Sequence, residues 1–131
     1  MKIRLAVDAE GQDILKLFPN SDKMDPNDWN KIAPYWAVAE VDGEIVAALQ
    51  LCPSLPTGRV EHLNIKPDLN KITAMKAAHA LIKYAEVAMM RMGCTTIAGY
   101  VTFRNKGVKR LIQKHYGAQV VGSGSMLSWR I

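Results

Sequence analysis

From Arg59 to Gly117 strand and helix signals follow one another without a break, and this series limits the fold more than any other feature. Arg59–Ile65 reads as a strand that stops at Pro67. Beyond it, Met75, Ala78, Ile82, Ala85, Met89 and Met92 recur at helical spacing, which predicts a helix over Lys71–Met92 with Gly93 as its stop. Lys76, His79, Lys83 and Glu86 supply the polar stripe of that helix, and its Met-rich face reads as core. Thr95–Thr102 is a β-branched strand. Asn105 opens a last helix, in which Val108, Leu111, Ile112 and His115 share a face, and Gly117 ends it. A strand that turns directly into a helix brings free backbone N–H groups and the positive end of the helix dipole to one point, which favours phosphate.

The flanking segments complete an α/β pattern. Residues 2–7 read as a first strand, and Asp8 as the cap of a helix with Ile14, Leu15, Leu17 and Phe18 on its apolar face. Pro26–Ile32 reads as a short helix after Asp25. Tyr35–Val41 and Glu44–Leu51 are strands joined by Asp42-Gly43, a pair suited to the two positive φ angles of a tight hairpin turn. Ala118–Val121 and Ser125–Ile131 form a closing hairpin across Gly122-Ser123-Gly124. The order is βααβββαβαββ. We expect one α/β domain over residues 1–131, with a mixed, mostly antiparallel sheet of about seven strands and about four helices on both faces.

Charge divides the chain. Residues 1–58 hold 5 basic and 9 acidic side chains, whereas residues 59–117 hold 11 basic and 3 acidic. The central half therefore faces an anion, either a polyphosphate or a nucleic acid, or presents a solvated basic surface. Nucleic acid is the weaker option, since the basic half lacks interleaved aromatics and any recognition module. No apolar run is long enough to span a membrane, and residues 1–8 lack the apolar core of a signal peptide. Cys52 and Cys94 are isolated, and His62, His79 and His115 have no ligand-like spacing, so no metal site is expected. P-loop, HExxH and GxSxG patterns are absent.

The element order and the spacing of Pro67, Asn105 and Gly117 resemble the GNAT superfamily of acyl-CoA-dependent N-acetyltransferases. Ile65-Lys66-Pro67-Asp68 matches the Val/Ile-x-Pro-Glu/Asp turn of that family. The Arg/Gln-x-x-Gly-x-Gly/Ala loop that should follow falls on Asn70, Lys71, Ile72, Thr73, Ala74 and Met75, with Thr73 and Met75 in place of small residues. The resemblance implies that Leu63, Asn64 and Ile65 pair with the pantetheine arm of acetyl-CoA. It implies that residues 70–75 hold the pyrophosphate, with Lys71 and the Thr73 hydroxyl as substitute donors. It places Asn105 at the family's conserved Asn. Glu61 is the available general base, with His62 beside it. Strand alternation leaves at most one of the two facing the site. The position of the family's proton-donating Tyr falls on Gln113 or Ile112, and Tyr116 is the nearest phenol. Asp22, Asp25, Asp28 and Trp29 would border the acceptor groove.

What this implies is acetyl transfer from acetyl-CoA to a primary amine of a small molecule or protein, by direct attack and in the cytoplasm. The alternative is a catalytically degenerate domain that serves as a binding or assembly module. Small divergent proteins of this type occur in bacteriophages, some in the virion. A homodimer through an unpaired final strand or an exposed Trp29/Trp36 region is also expected.

Overall fold

The computed structural model describes residues 1–17, 35–100, 106–122 and 126–130. β1 (Lys2–Leu5) leads through a 3₁₀ turn (Asp8–Glu10) into α1 (Gly11–Leu15). β2 (Trp36–Val41), β3 (Glu44–Cys52) and β4 (Thr57–Ile65) follow, then α2 (Lys71–Arg91), β5 (Thr96–Tyr100), α3 (Lys106–Tyr116), β6 (Gln119–Gly122) and β7 (Met126–Arg130). The seven strands form one sheet in the order β1-β2-β3-β4-β5-β7-β6. β4 and β5 run parallel, as the long α2 crossover between them requires, and the other pairs are antiparallel. Three α-helices lie within the described residues. The short helix expected at 26–32, and Phe18, lie outside them.

Alternation along β2 and β3 sorts the two faces. Ala37, Ala39, Ala47, Leu49 and Leu51 join Ala77, Ala78, Leu81, Ile82, Ala85 and Met89 of α2, and Leu111 and Ile112 of α3, in the main core. Trp36, Val38 and Ala48 point the other way, onto Ile14 and Leu17 beside α1. The alanines on facing surfaces keep α2 close to the sheet.

Several expectations are corrected. Met75 and Met92 are 46% exposed, because the apolar arc of α2 turns out of the core at both ends. Glu86 is buried, since it lies on the edge of the helix that packs against Tyr116 rather than on the outer stripe. Trp36 is buried, so it offers no dimer surface, and β7 is an interior strand between β5 and β6 rather than a free edge. β1 stops at Leu5, and Asp8 makes no cap. Instead Glu10 reaches back to accept from the Val7 N–H at 2.9 Å, while its two oxygens receive both Arg4 terminal nitrogens at 2.7 Å. Arg4 Nε also donates to Glu40 on β2 at 3.0 Å, which ties the α1 turn to the sheet.

Two predictions follow from this packing. The Arg4 guanidinium holds the Glu10 carboxyl down at about 2, from an ordinary 4.5. Stability from this pair is therefore complete above about pH 4.5 and is lost as pH falls through about 2. Glu10→Gln should cost about 1 kcal/mol at neutral pH and flatten that acid limb in chemical denaturation curves. A Cβ on Gly58 would meet Met89 Sδ at 2.7 Å and Cys94 Sγ at 3.3 Å, inside the core. Gly58→Ala should destabilise by about 1–3 kcal/mol, read from the denaturation midpoint.

Candidate active site

β4 is paired on both sides only over its first half. Thr57–Val60 run beside Thr96–Gly99 of β5, and the register ends there. Glu61–Ile65 continue against β3 alone, with no β5 partner among the described residues. Past Val60 the described residues bond β4 to β3 alone, and the residues that follow Tyr100 lie outside them.

A β-bulge lies just past Val60. Gln50 opposes Glu61 and Ala48 opposes Asn64, so His62 and Leu63 together face Leu49. His62 takes φ +52°, an uncommon conformation for a residue with a Cβ, and its carbonyl accepts from Asn64 Nδ2 at 3.0 Å. The bulge breaks the expected alternation. Trp36, Gln50 and Glu61 are directly opposite one another across three strands, which puts Glu61 on the α1 face. The His62 ring also stacks on Trp36, with centroids 6.3 Å apart and planes at 29°. Glu61 and His62 therefore share one face, where a regular strand would have separated them. Leu63 and Ile65 pack toward the α2 core on the other.

Glu61 keeps some solvent contact (26% exposed) and lies 3.6 Å from Arg59 Nη1. Cys52 is opposite Arg59 on the same face. Burial raises its thiol pKa and the Glu61 charge raises it further, so Cys52 stays protonated and is a poor nucleophile.

The Pro67 turn leads from β4 into α2. It is pinned by Lys66 Nζ on Glu44 at 2.6 Å and by the Lys66 N–H on the Val46 carbonyl at 2.8 Å. Asn70 caps the helix: its Oδ1 accepts from the N–H groups of Ile72 at 2.8 Å and Thr73 at 3.4 Å. Asn70, Lys71, Ile72 and Met75 are exposed, while Thr73 and Ala74 are half-buried. The loop residues thus gather at the end of β4 as expected, but a side chain of the protein already occupies two of the helix donors. A cleft of about 460 Å³ lies beneath this turn on the α1 side, and Asp13, Glu44, Lys66 and Asp68 are among its walls. Among the described residues, none of the expected site residues lines it.

Tyr116 stands apart from Glu61 and His62. It packs against the α2-side core, its hydroxyl 3.1 Å from His79 Nδ1 and donating to the His79 carbonyl at 3.3 Å. Burial first, and then the charge of Glu86, push its pKa up to about 12. The structure explains Tyr116 as part of the α2–α3 contact. Asn105, Asp22, Asp25, Asp28 and Trp29 lie outside the described residues. Sequence reasoning did not find Trp36 as the wall under His62 or Asn70 as a cap. The second was readable, because Asn immediately before a helical period is a favoured N-cap.

No family model matches the chain, and no curated protein matches it. Solved structures do. The ribosomal-protein-S18-alanine N-acetyltransferase from Escherichia coli superimposes with a TM-score of 0.79 at 11% identity, covering 99% of this chain and 93% of that one. A GNAT-family acetyltransferase from Staphylococcus aureus gives 0.79 at 8% identity, covering 98% of each chain. The PaiA N-acetyltransferase from Thermoplasma acidophilum, solved with coenzyme A, gives 0.72 at 12% identity over the full length of both. The fold is that of the GNAT N-acetyltransferases.

The cap makes its own prediction. Asn70→Ala should lower stability by about 1 kcal/mol in urea denaturation, whereas Asn70→Asp should hold it within a few tenths.

Proposed function

We propose that this chain transfers an acetyl group from acetyl-CoA to a primary amine by direct attack in a ternary complex. The observation that carries this reading is the bulge in β4, which brings Glu61 and His62 onto one face just past the last β4–β5 pair among the described residues. In this reading the backbone of Leu63, Asn64 and Ile65 pairs with the amides of the pantetheine arm and aligns the thioester along the strand. The pyrophosphate lies over Asn70–Met75, held by Lys71, the Thr73 hydroxyl and the α2 N-terminus.

Glu61 takes a proton from the acceptor ammonium, directly or through water, and His62 on Trp36 walls the approach. The neutral nitrogen attacks the acetyl carbon. N–H groups of Leu63–Ile65 stabilise the oxyanion that forms. As the tetrahedral intermediate collapses the C–N bond is kept, the C–S bond breaks, and the surplus proton on the nitrogen passes through water to the departing thiolate. The acceptor is an amine of a small molecule or protein.

One observation favours the second reading, a domain of the same fold that binds or assembles without catalysis. Asn70 occupies the N–H groups that would receive phosphate, and Thr73 and Met75 stand where the pattern has small residues.

Calorimetric titration with acetyl-CoA tests both. Micromolar binding, near −8 kcal/mol, supports transfer, while no heat at millimolar ligand leaves the non-catalytic module. Thr73→Glu should abolish that binding without unfolding the domain. Glu61→Gln should lower kcat by about 10²-fold or more and leave the acetyl-CoA Kd unchanged. Equal turnover removes Glu61 from the mechanism.

A further inference from the structure

The outward side of α2 is built unlike a simple solvated face. Ile72, Lys76, His79, Lys83, Val87 and Met90 follow one another at intervals of four and three residues, so they form a single stripe along the helix. All six are exposed, with Ile72 at 67% and Met90 at 53%. The middle of the stripe is basic and its ends are apolar.

α3 extends the basic area. It meets α2 where Tyr116 and His115 contact His79, and it exposes Arg110 and Lys114. Together α2 and α3 carry eight Lys and Arg against one acid, Glu86, which is buried and 3.5 Å from Lys83. The rest of the chain carries nine basic and eleven acidic residues. The basic excess is therefore confined to these two helices.

Two features choose among anionic partners. A phosphate backbone offers nothing to Ile72, Val87 and Met90, and the stripe carries no Phe, Tyr or Trp for a base to stack on. An acidic protein surface with apolar residues among its carboxylates matches both parts. The second feature is where the stripe begins. Ile72 and Lys76 lie in the first turns of α2, beside the end of β4 that feeds the helix. Five residues of strand, Glu61–Ile65, give a track of about 16 Å from that end past the bulge. A pantetheine arm fits such a track whatever carries it. The pyrophosphate of coenzyme A needs backbone donors that Asn70 occupies, whereas an arm on a carrier protein ends in a single phosphodiester.

We infer that the outer face of α2 and α3 docks an acidic carrier protein, whose phosphopantetheine arm delivers the acyl group into the β4 cleft in preference to free coenzyme A. This rests on the acyl-transfer reading above. The balance is the same: the C–S bond of the carrier thioester breaks, the amide C–N bond forms, and the carrier regains its thiol.

The test uses the full chain with acetyl-loaded acyl carrier protein and acetyl-CoA as rival donors. The carrier should give at least about tenfold higher kcat/KM at low ionic strength, and this advantage should shrink as salt rises. Lys76→Glu with Lys83→Glu should lower kcat/KM for the carrier about tenfold or more and leave acetyl-CoA unaffected, with an unchanged Tm showing that the fold is intact. A carrier no better than acetyl-CoA, or an equal loss for both donors, overturns the proposal. So does a random-sequence DNA duplex that binds this face more tightly than the carrier. If neither donor reacts, the acyl-transfer reading fails. Calorimetry with the carrier then decides the docking face alone: binding lost in the double variant keeps it, and no binding to the wild type removes it.

Discussion

The end of the β4–β5 register at Val60–Gly99 is the constraint on which the rest of the molecule turns. Parallel strands need a long connection, and α2 supplies it, while the β4–β5 pairs among the described residues run from the start of β4 to Val60. Gly99 allows that last close pairing, since a Cβ there would lie 3.1 Å from the Val60 carbonyl oxygen. Two residues further on, the His62 bulge tightens the twist of β4 and turns two polar side chains to the same face. The meeting of Glu61 and His62 thus comes from one distortion.

The core holds this distortion in place. Leu63 and Ile65 beyond the bulge still reach the α2 side, and Trp36, fully enclosed against Ile14, Val38 and Ala48, supports His62 from below. A bulge in an exposed edge strand could slip. Here β3 is bonded on one side and an aromatic wall lies beneath, which leaves His62 little choice of conformation. Ion pairs at the margins add smaller restraints: Lys66–Glu44 across the turn and Arg4 between Glu10 and Glu40.

Local chemistry made much of this legible. Asp42-Gly43 specified the β2–β3 hairpin, Pro67 ended β4, and the long apolar period specified α2, because each depends on backbone geometry or periodicity within a few residues. The gathering of residues 70–75 at the end of β4 was readable for the same reason. Reading failed where an outcome depends on a distant neighbour. Alternation separated Glu61 from His62, but the bulge is decided by what β3 and Trp36 offer. Glu86 looked like part of a polar stripe, yet it is buried and its charge acts on Tyr116 of α3. The last strand looked like an edge, yet β6 folds back to lie outside it.

By itself the sequence determined the kinds of elements, their order, the turn that feeds α2, and the concentration of positive charge in the second half. These are set by φ preferences, apolar period and composition, which act over short spans. Only the tertiary structure decided where β4 bulges, which polar side chains meet there, that Tyr116 contacts His79, and that the basic residues of α2 and α3 adjoin one another. Those outcomes follow from strand register and helix packing, which bring together residues tens of positions apart and have no signature in any local stretch of chain.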